Sequence, residues 1–589
     1  MPAVLTRLRA ELRARWKAWG GVALLIGLAG GAVLTTAAGA RRTDTAYARY
    51  LRSTKAADVL VSAANTGLTG YYDAVAHLPG VAASGAVVGL QAGPLGKDGQ
   101  PELGSQMVAS VDGRYGNDVD HAKLLSGRGY RLDRADEVVA DVAAARRYHL
   151  HAGSLLRAAA VPGANGPDLA HAVPLQLRVV GIVVSRTNVV PISPLDRLPQ
   201  FGASPALLAR FGPEFHAFDG MFLRLHPGTS ADAVSRQAQA LAARFPDTGG
   251  QAFVANQASQ VAKVGRAIRP QAVALALFAL LTAVTAFFVV GQVLTRQLFL
   301  ASTEHPTLRA LGMSRNQLML LGLGEVVGVA VAGALFAVVV ALASSPIMPI
   351  GPARLAEPSP GLSPDWVVLS VGIAAIVAVL LLRAAWPAWR LAGARTGVQG
   401  TVELSGVDEP SRMAEAVTRA GAPASAAVGI RLALEPGRGR TSVPVRSALG
   451  GTALAIVAVV AALTFSANLV RLVDTPRLYG QTWDVVFDFQ FRSFTRDDAA
   501  KLLGPRPEVA GWSLGSHGDI AVAGKPVPVI GVEQGRGPLV FPTLLDGHAA
   551  VANDEIVLGT KTLRDAHLHV GDTVNVVLNQ QARTMRVVG

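Results

Sequence analysis

Cysteine is absent from all 589 residues. This excludes a disulfide framework, a thiolate metal site and a cysteine nucleophile, so any domain in an oxidising compartment must be held by its own core. No G-x-x-x-x-G-K-[ST] string occurs, since Lys97 and Lys525 follow glycine but precede Asp98 and Pro526. The chain cannot supply a phosphate cradle of the Walker type, and an ATP-driven activity would need a second polypeptide. H-E-x-x-H and G-x-S-x-G are also missing, which removes the motifs of zinc proteases and serine hydrolases. Charge is scarce at 16%, while half the residues are hydrophobic. Mean hydropathy is +0.36, with the excess concentrated in a few runs. The net charge of +13 gathers beside those runs, at Arg7, Arg9, Arg13, Arg15 and Lys17 and again at Arg383, Arg390 and Arg395. That is the pattern of topology determinants rather than of a nucleic-acid surface.

What is present is a polytopic pattern. A bilayer is crossed by about 20 apolar residues in one helix. Five runs meet this length, giving spans over 22–40, 272–294, 318–343, 366–385 and 447–467. The basic segment 1–21, with Trp16 and Trp19 at its end, marks a cytoplasmic N-terminus by the positive-inside bias. Ala38-Gly39-Ala40 resembles a signal-peptidase site, but the length of the preceding run and the four later spans favour an uncleaved helix. Residues 41–268 then form an extracytoplasmic domain whose strand-like runs (58–61, 177–180) and helix-like run (231–244) read as α+β. Residues 295–317 form a short cytoplasmic turn, 344–365 a proline-rich outside loop, 386–446 an arginine-rich cytoplasmic linker, and 468–589 a second extracytoplasmic domain. The fold class is thus a membrane α-helical bundle with extracytoplasmic α+β domains. Gly27 with Gly31, and Gly324 with Gly328, form G-x-x-x-G pairs suited to close helix packing. Glu325 is the one carboxylate well inside a span, within reach of Arg315 or of the interface, and so has either a structural or a coupling role.

In the turn, Ser302 or Thr303 is placed to cap a helix that has Pro306 in its first turn, Leu308 and Leu311 at i, i+3, and Gly312 as its stop, after which Ser314 caps the next span. The string Glu304…Leu308-Arg309-Ala310-Leu311-Gly312-Met313-Ser314-Arg315-Asn316-Gln317-Leu318…Glu325 resembles the signature of the FtsX/MacB-type permeases of ABC transporters, with His305-Pro306 where that family has apolar or small residues. The resemblance implies that this segment is a coupling helix docking on a separate ABC ATPase subunit, with Glu304, Leu308, Arg309, Leu311, Gly312 and Arg315 as the coupling residues. ATP would bind the partner, and this chain would hold no cofactor or metal. It further implies a multi-pass protein of the bacterial plasma membrane, in contact with lipid and an extracytoplasmic protein partner, in a dimeric or pseudo-dimeric assembly without nucleic acid.

An internal repeat extends the resemblance. Leu124–Gly127, Asp136–Val139, His149–Ser154 and Arg178–Gly181 recur in order as Leu544–Gly547, Asp554–Val557, His567–Asp572 and Arg586–Gly589, at offsets of 420, 418, 418 and 408. These blocks resemble the periplasmic core domain of the same permeases. The acidic pairs Asp136-Glu137 and Asp554-Glu555 read as solvated strand starts rather than catalytic carboxylates. His149/His151 and His567/His569 have the spacing of one strand face and lack a third ligand, so they read as surface histidines. By repeat arithmetic a complete second unit needs roughly 200 more residues, so the sequence reads as ending part-way through its second outside domain. The function expected is a permease subunit that couples ATP hydrolysis on a separate subunit to movement of outside domains, for export or for lipid, lipoprotein or peptide handling. Two alternatives stand beside it. One is mechanical signalling to an outside partner with no substrate crossing. The other is an ion-gradient transporter, for which further intramembrane titratable groups are missing.

Overall fold

The computed structural model describes residues 2–63, 70–163, 167–191, 194–248, 252–393, 423, 425, 445–487, 494–578 and 581–589. Most of the linker read over 386–446 therefore lies outside the described residues. The chain divides into two units, Met1–Ala458 and Val459–Gly589.

Helix α1 (Pro2–Ala14) turns at Arg15 into α2 (Trp16–Ser53), which runs unbroken for 38 residues. At about 1.5 Å per residue α2 is ~57 Å long, nearly twice the ~30 Å hydrocarbon thickness. The Ala38-Gly39-Ala40 string sits mid-helix, with Gly39 against Met348. The first polar domain follows. Its strands are β1 (Val59–Ala63), β2 (Val81–Leu90), β3 (Ala92–Pro94), β4 (Gln106–Ser110), β5 (Lys123–Gly127), β6 (Glu137–Asp141), β7 (Leu155–Ala160), β8 (Val173–Val184), β9 (Gln200–Ala203), β10 (His216–Leu225) and β11 (Ala252–Asn256). Interspersed are α3 (Gly70–Ala76), α4 (Val142–Arg147), α5 (Arg186–Val189), α6 (Pro205–Leu208) and α7 (Ala231–Ala242). The strands form one mixed sheet in the order β11-β1-β10-β2-β4-β9-β6-β8-β7-β3, with β5 on β8. Among the described strands of this sheet, only β4–β9 and β6–β8 pair in parallel. One core lies under α3 and α7 (Val59, Tyr71, Leu223, Ala238), and a second gathers Met107, Ala144, Leu177, Phe201 and Leu207.

The chain leaves this domain beside its point of entry, because β1 and β11 are antiparallel partners with Val59 opposite Asn256. It then enters α8 (Ala258–Ser302), the short α9 (His305–Ala310), α10 (Arg315–Ser344), α11 (Pro352–Ala356) and α12 (Trp366–Gly393). Among the described residues five helices are long and apolar enough to cross a membrane: α2, α8, α10, α12 and α13 (Val445–Asp474). The chain is a multi-pass membrane protein. Trp19, Val22, Ile26, Val290, Leu294, Val326, Ala330, Leu380 and Ala384 knit α2, α8, α10 and α12 into one core. Close approach of α2 to α10 depends on glycine. A Cβ at Gly31 would lie 2.6 Å from Val340, one at Gly333 2.6 Å from Ile26, and one at Gly27 would run into the Phe336 ring. Gly324 instead faces Leu8 of α1, and Gly328 is exposed.

The second unit holds α14 (Arg496–Leu503), α15 (Thr560–Ala566) and a sheet β13-β12-β15-β16-β14, from β12 (Trp512–Val522), β13 (Lys525–Arg536), β14 (Glu555–Ile556), β15 (Thr573–Leu578) and β16 (Gln581–Val587). The repeat seen in the sequence is a repeat in structure. Glu137 pairs with Arg178 across parallel β6–β8, and Glu555 with Arg586 across parallel β14–β16. Leu155 faces Arg178 and Thr573 faces Arg586 in the antiparallel partners. The Arg178 amide donates to Asp136, as the Arg586 amide does to Asp554. Gly127 and Gly547 share a left-handed conformation, φ 77° and 74°, and a Cβ at either would strike a carbonyl of the neighbouring strand.

Two readings of the repeat need correcting. His149 and His567 do not lie on a strand. Each closes the helix before it with positive φ (52° and 55°), because a tight turn is needed before the next strand. Glu137 is not solvated, being only 3% exposed. Arg128 grips it with two bonds of 2.7 and 2.8 Å, and Arg131 adds its guanidinium and its backbone amide. The Arg128 guanidinium holds the carboxyl down at about 2. Glu555 is likewise held at about 2, first by the Val551 and Ala552 amides and then by Arg586.

Candidate coupling turn

The turn between α8 and α10 is a tightly wound loop. Ser302 and Thr303 do not cap α9. Their hydroxyls donate back to the Phe299 and Leu300 carbonyls and finish α8. The N-cap position falls to Glu304, with Pro306 in the first turn. The Gly312 amide donates to Arg309 at 2.8 Å and that of Met313 to Leu308 at 3.0 Å, and Gly312 at φ 93° reverses the chain. Ser314 then caps α10 in a capping box with Gln317.

The six turn residues divide into two sets. Glu304 faces the N-terminal segment, pairing with Arg7 and with Arg15 at 3.3 Å. Arg309 donates to the Ala392 carbonyl and Arg315 to that of Trp389 at 3.2 Å, and the Arg315 guanidinium lies 4.6 Å from the Trp389 ring centre. Both arginines thus neutralise the last carbonyls of α12, where cations are favoured. Leu311 points away, 78% exposed, with Thr307, Ala310 and Gly312 beside it, while Leu308 is half-buried. The surface offered by the turn is accordingly a small apolar knob, and the arginines brace it from behind.

Glu325 does not pair with Arg315. It is 2% exposed and faces Glu11 of α1 across a cavity of about 20 Å³ lined also by His305, Leu318, Leu321 and Ala388. Sequence reasoning missed Glu11, since it sits in a run read only for its positive charge.

At the far end of the helices lies a second cluster that sequence reasoning also missed. Tyr47 and Tyr50 of α2, Val264 and Ile268 of α8, Ala353 and Ala356 of α11 and Val184 and Val189 of the first domain share one core. Glu357, 4% exposed, accepts from Arg42 Nε at 3.2 Å and Arg49 Nη2 at 2.6 Å. Arg42 further donates to the Ser345, Ser359 and Gly361 carbonyls. Within the domain, Arg186 binds Asp120 at 2.6 and 2.8 Å, the Ala57 carbonyl at 3.2 Å and Gln257 at 3.1 Å, tying together the incoming and outgoing chain. Adjacent basic residues at a span boundary were the only signal of this cluster. Among the described residues no group of three potential metal ligands occurs.

Residues 276–395 match the family model described as FtsX-like permease C-terminal. This segment covers most of α8, the turn, α10 and α12. No curated protein matches the chain. Among solved structures, the periplasmic region of MacB from Actinobacillus actinomycetemcomitans is similar at 10% identity and TM-score 0.25, covering 37% of this chain and 97% of that one. The extracellular domain of the ABC-type transporter YknZ from Gram-positive bacteria is similar at 12% identity and TM-score 0.23, covering 34% and 99%.

Proposed function

We propose that this FtsX-like permease is the transmembrane subunit of an ABC-type assembly, with α9 pressed by a separate ATPase in the cytoplasm and the first polar domain moved on the opposite side. The observation that carries this reading is the pair of unbroken helices, α2 and α8, that run from beside the turn into the base of the polar domain. A helix resists bending over several turns, so a displacement at one end is delivered at the other. The charged braces serve the same transfer. Glu304 links the turn to the start of α2, Arg309 and Arg315 link it to the end of α12, and Glu357 locks α2 to the loop on the domain side. Leu311, with Thr307 and Ala310, is the contact surface for the motor. The chain functions beside a second transmembrane unit, and its work is export or force transmission to an outside partner.

The test is Leu311→Asp and, separately, Ala310→Asp in the full chain purified from its native membrane. Gly312 is left alone because any side chain there strains the backbone at φ 93°. The expected result is loss of the co-purifying ATPase and of ATP hydrolysis with the permease still folded. Retention of both activities in both variants, or labelling of Thr307→Cys from the exterior face of intact cells, rejects the reading.

A further inference from the structure

We propose that Glu11 and Glu325 form a proton-binding site in which one proton, shared between two buried carboxyls, holds the N-terminal helix against span α10 at the root of the turn. The site does not depend on which partner presses on α9.

The argument begins with satisfaction of polar atoms. Glu325 is 2% and Glu11 6% exposed. The Oε2 atom of each is buried without a hydrogen-bond partner. The two side chains line the same small cavity. An ionised carboxylate is an acceptor only, so two of them cannot bond to each other. One added proton gives one of these carboxyls a donor and removes one of two like charges from an apolar pocket. The cavity has room for about one water molecule and no more.

The surrounding charges do not remove the need for that proton. From α1, Arg7 lies 3.4 Å from Glu11 Oε1 but is also bound to Glu304. Arg15, at the head of α2, is on Glu304. The turn contributes Glu304 and His305, whereas α8 and α12 present only Leu298, Ala301 and Ala388 to the cavity. Three carboxylates thus face two guanidiniums and the His305 imidazole, and both guanidiniums are engaged by the outermost acid. Docking of α1 takes up a proton. Acid therefore favours the docked helix, and alkali releases it by leaving two anions face to face.

The absence of cysteine makes the site accessible to thiol labelling. Leu8 packs on Gly324, where a Cβ would lie 3.1 Å from it, so a Leu8→Cys thiol reports whether α1 is seated. The full chain is placed in phosphatidylcholine nanodiscs and titrated between about pH 5 and 10, with infrared detection of the protonated carboxyl stretch. Maleimide labelling of Leu8→Cys is followed in parallel and normalised to the exposed Thr307→Cys to cancel thiol ionisation. The expected result is a carboxyl band that titrates as one proton, falling about tenfold per pH unit beyond its midpoint. Glu11→Gln and Glu325→Gln should each remove it. Normalised labelling should rise about tenfold over the same interval and lose its pH dependence in Glu325→Gln, whose amide donates the missing hydrogen bond. Glu11→Gln, on the short terminal helix, preserves the test if the span variant fails to insert. A band that persists in both variants, labelling that ignores pH, or labelling that follows sodium rather than protons would overturn the proposal.

Discussion

Replacing Glu357 with alanine removes the anion that two guanidiniums share at the domain end of α2. Arg42 and Arg49 contact the same oxygen at 3.2 and 2.6 Å, and Glu357 is only 4% exposed. Breaking a buried pair by deleting one partner costs about 3–5 kcal/mol, because the remaining charge is stranded. Arg42 retains its carbonyl acceptors at Ser345, Ser359 and Gly361, so the lower end, about 3 kcal/mol, applies. This cost falls on the loop that carries α11 and should appear as local opening. Hydrogen exchange in the full chain reads it directly, since about 1.4 kcal/mol is tenfold in an opening constant, predicting ~100-fold faster exchange at the Arg354 and Ser363 amides. Amides of β8, held in the sheet, should not change. Arg41→Ala supplies the control: its pair with Asp365 at 2.7 Å involves an arginine side chain 51% exposed, and such pairs contribute about 0–1 kcal/mol. If Glu357→Ala exchanges no faster than Arg41→Ala, the buried cluster is not a lock and the path of force through it is wrong.

Other outcomes follow from the same kind of accounting. Glu137 is held at about 2 against an ordinary 4.5, so its contribution to the first domain is fully present above about pH 4.5 and lost as pH falls through about 2. Allowing for water around the half-exposed Arg128, that is ~1–2 kcal/mol, and acid titration followed by near-UV circular dichroism should show a shallower loss in Glu137→Gln. Gly31→Val should cost ~1–3 kcal/mol by overpacking α2 against Val340, while Gly328→Ala, at an exposed position, should leave the thermal unfolding of the detergent-purified chain unchanged. Gly127→Ala should destabilise the first domain by ~1 kcal/mol or more, through positive φ and a clash with the Val180 carbonyl, measured as a lower midpoint in thermal unfolding.

Hydropathy and charge made the apolar parts of five helices legible, and the turn beside Arg309 and Arg315 with them. They did not reveal how far α2 and α8 continue. The extensions carry Tyr47, Tyr50, Val264 and Ile268, which are buried by the polar domain rather than by lipid, and an apolar-run criterion stops at Arg41. The repeat was readable because turn glycines and strand starts are local signals. That Glu137 is buried was not, since its burial depends on Arg128 and Arg131 folding back over it. At the turn, sequence placed Glu304, Leu308, Arg309, Leu311, Gly312 and Arg315 in one short segment but did not reveal the direction in which each faces. Whether an arginine faces outward or reaches a carbonyl at Ala392 depends on where α12 ends in space, and no spacing within 295–317 encodes that. Glu11 stayed hidden for a similar reason: one acid among arginines looks solvated until α10 closes over it.

The antiparallel partnership of β1 with β11 puts the two chain crossings of the first domain about 5 Å apart. Residues 60–255 are thus inserted between neighbouring strands, while Val184 and Val189 still seat on Tyr47, Tyr50, Val264 and Ile268 of the two rods α2 and α8. Chimeras joined at Val59 and Asn256 should therefore fold on the same bundle when the incoming head keeps apolar residues where Val184 and Val189 sit, which makes those two positions the fixed socket beneath an otherwise variable head.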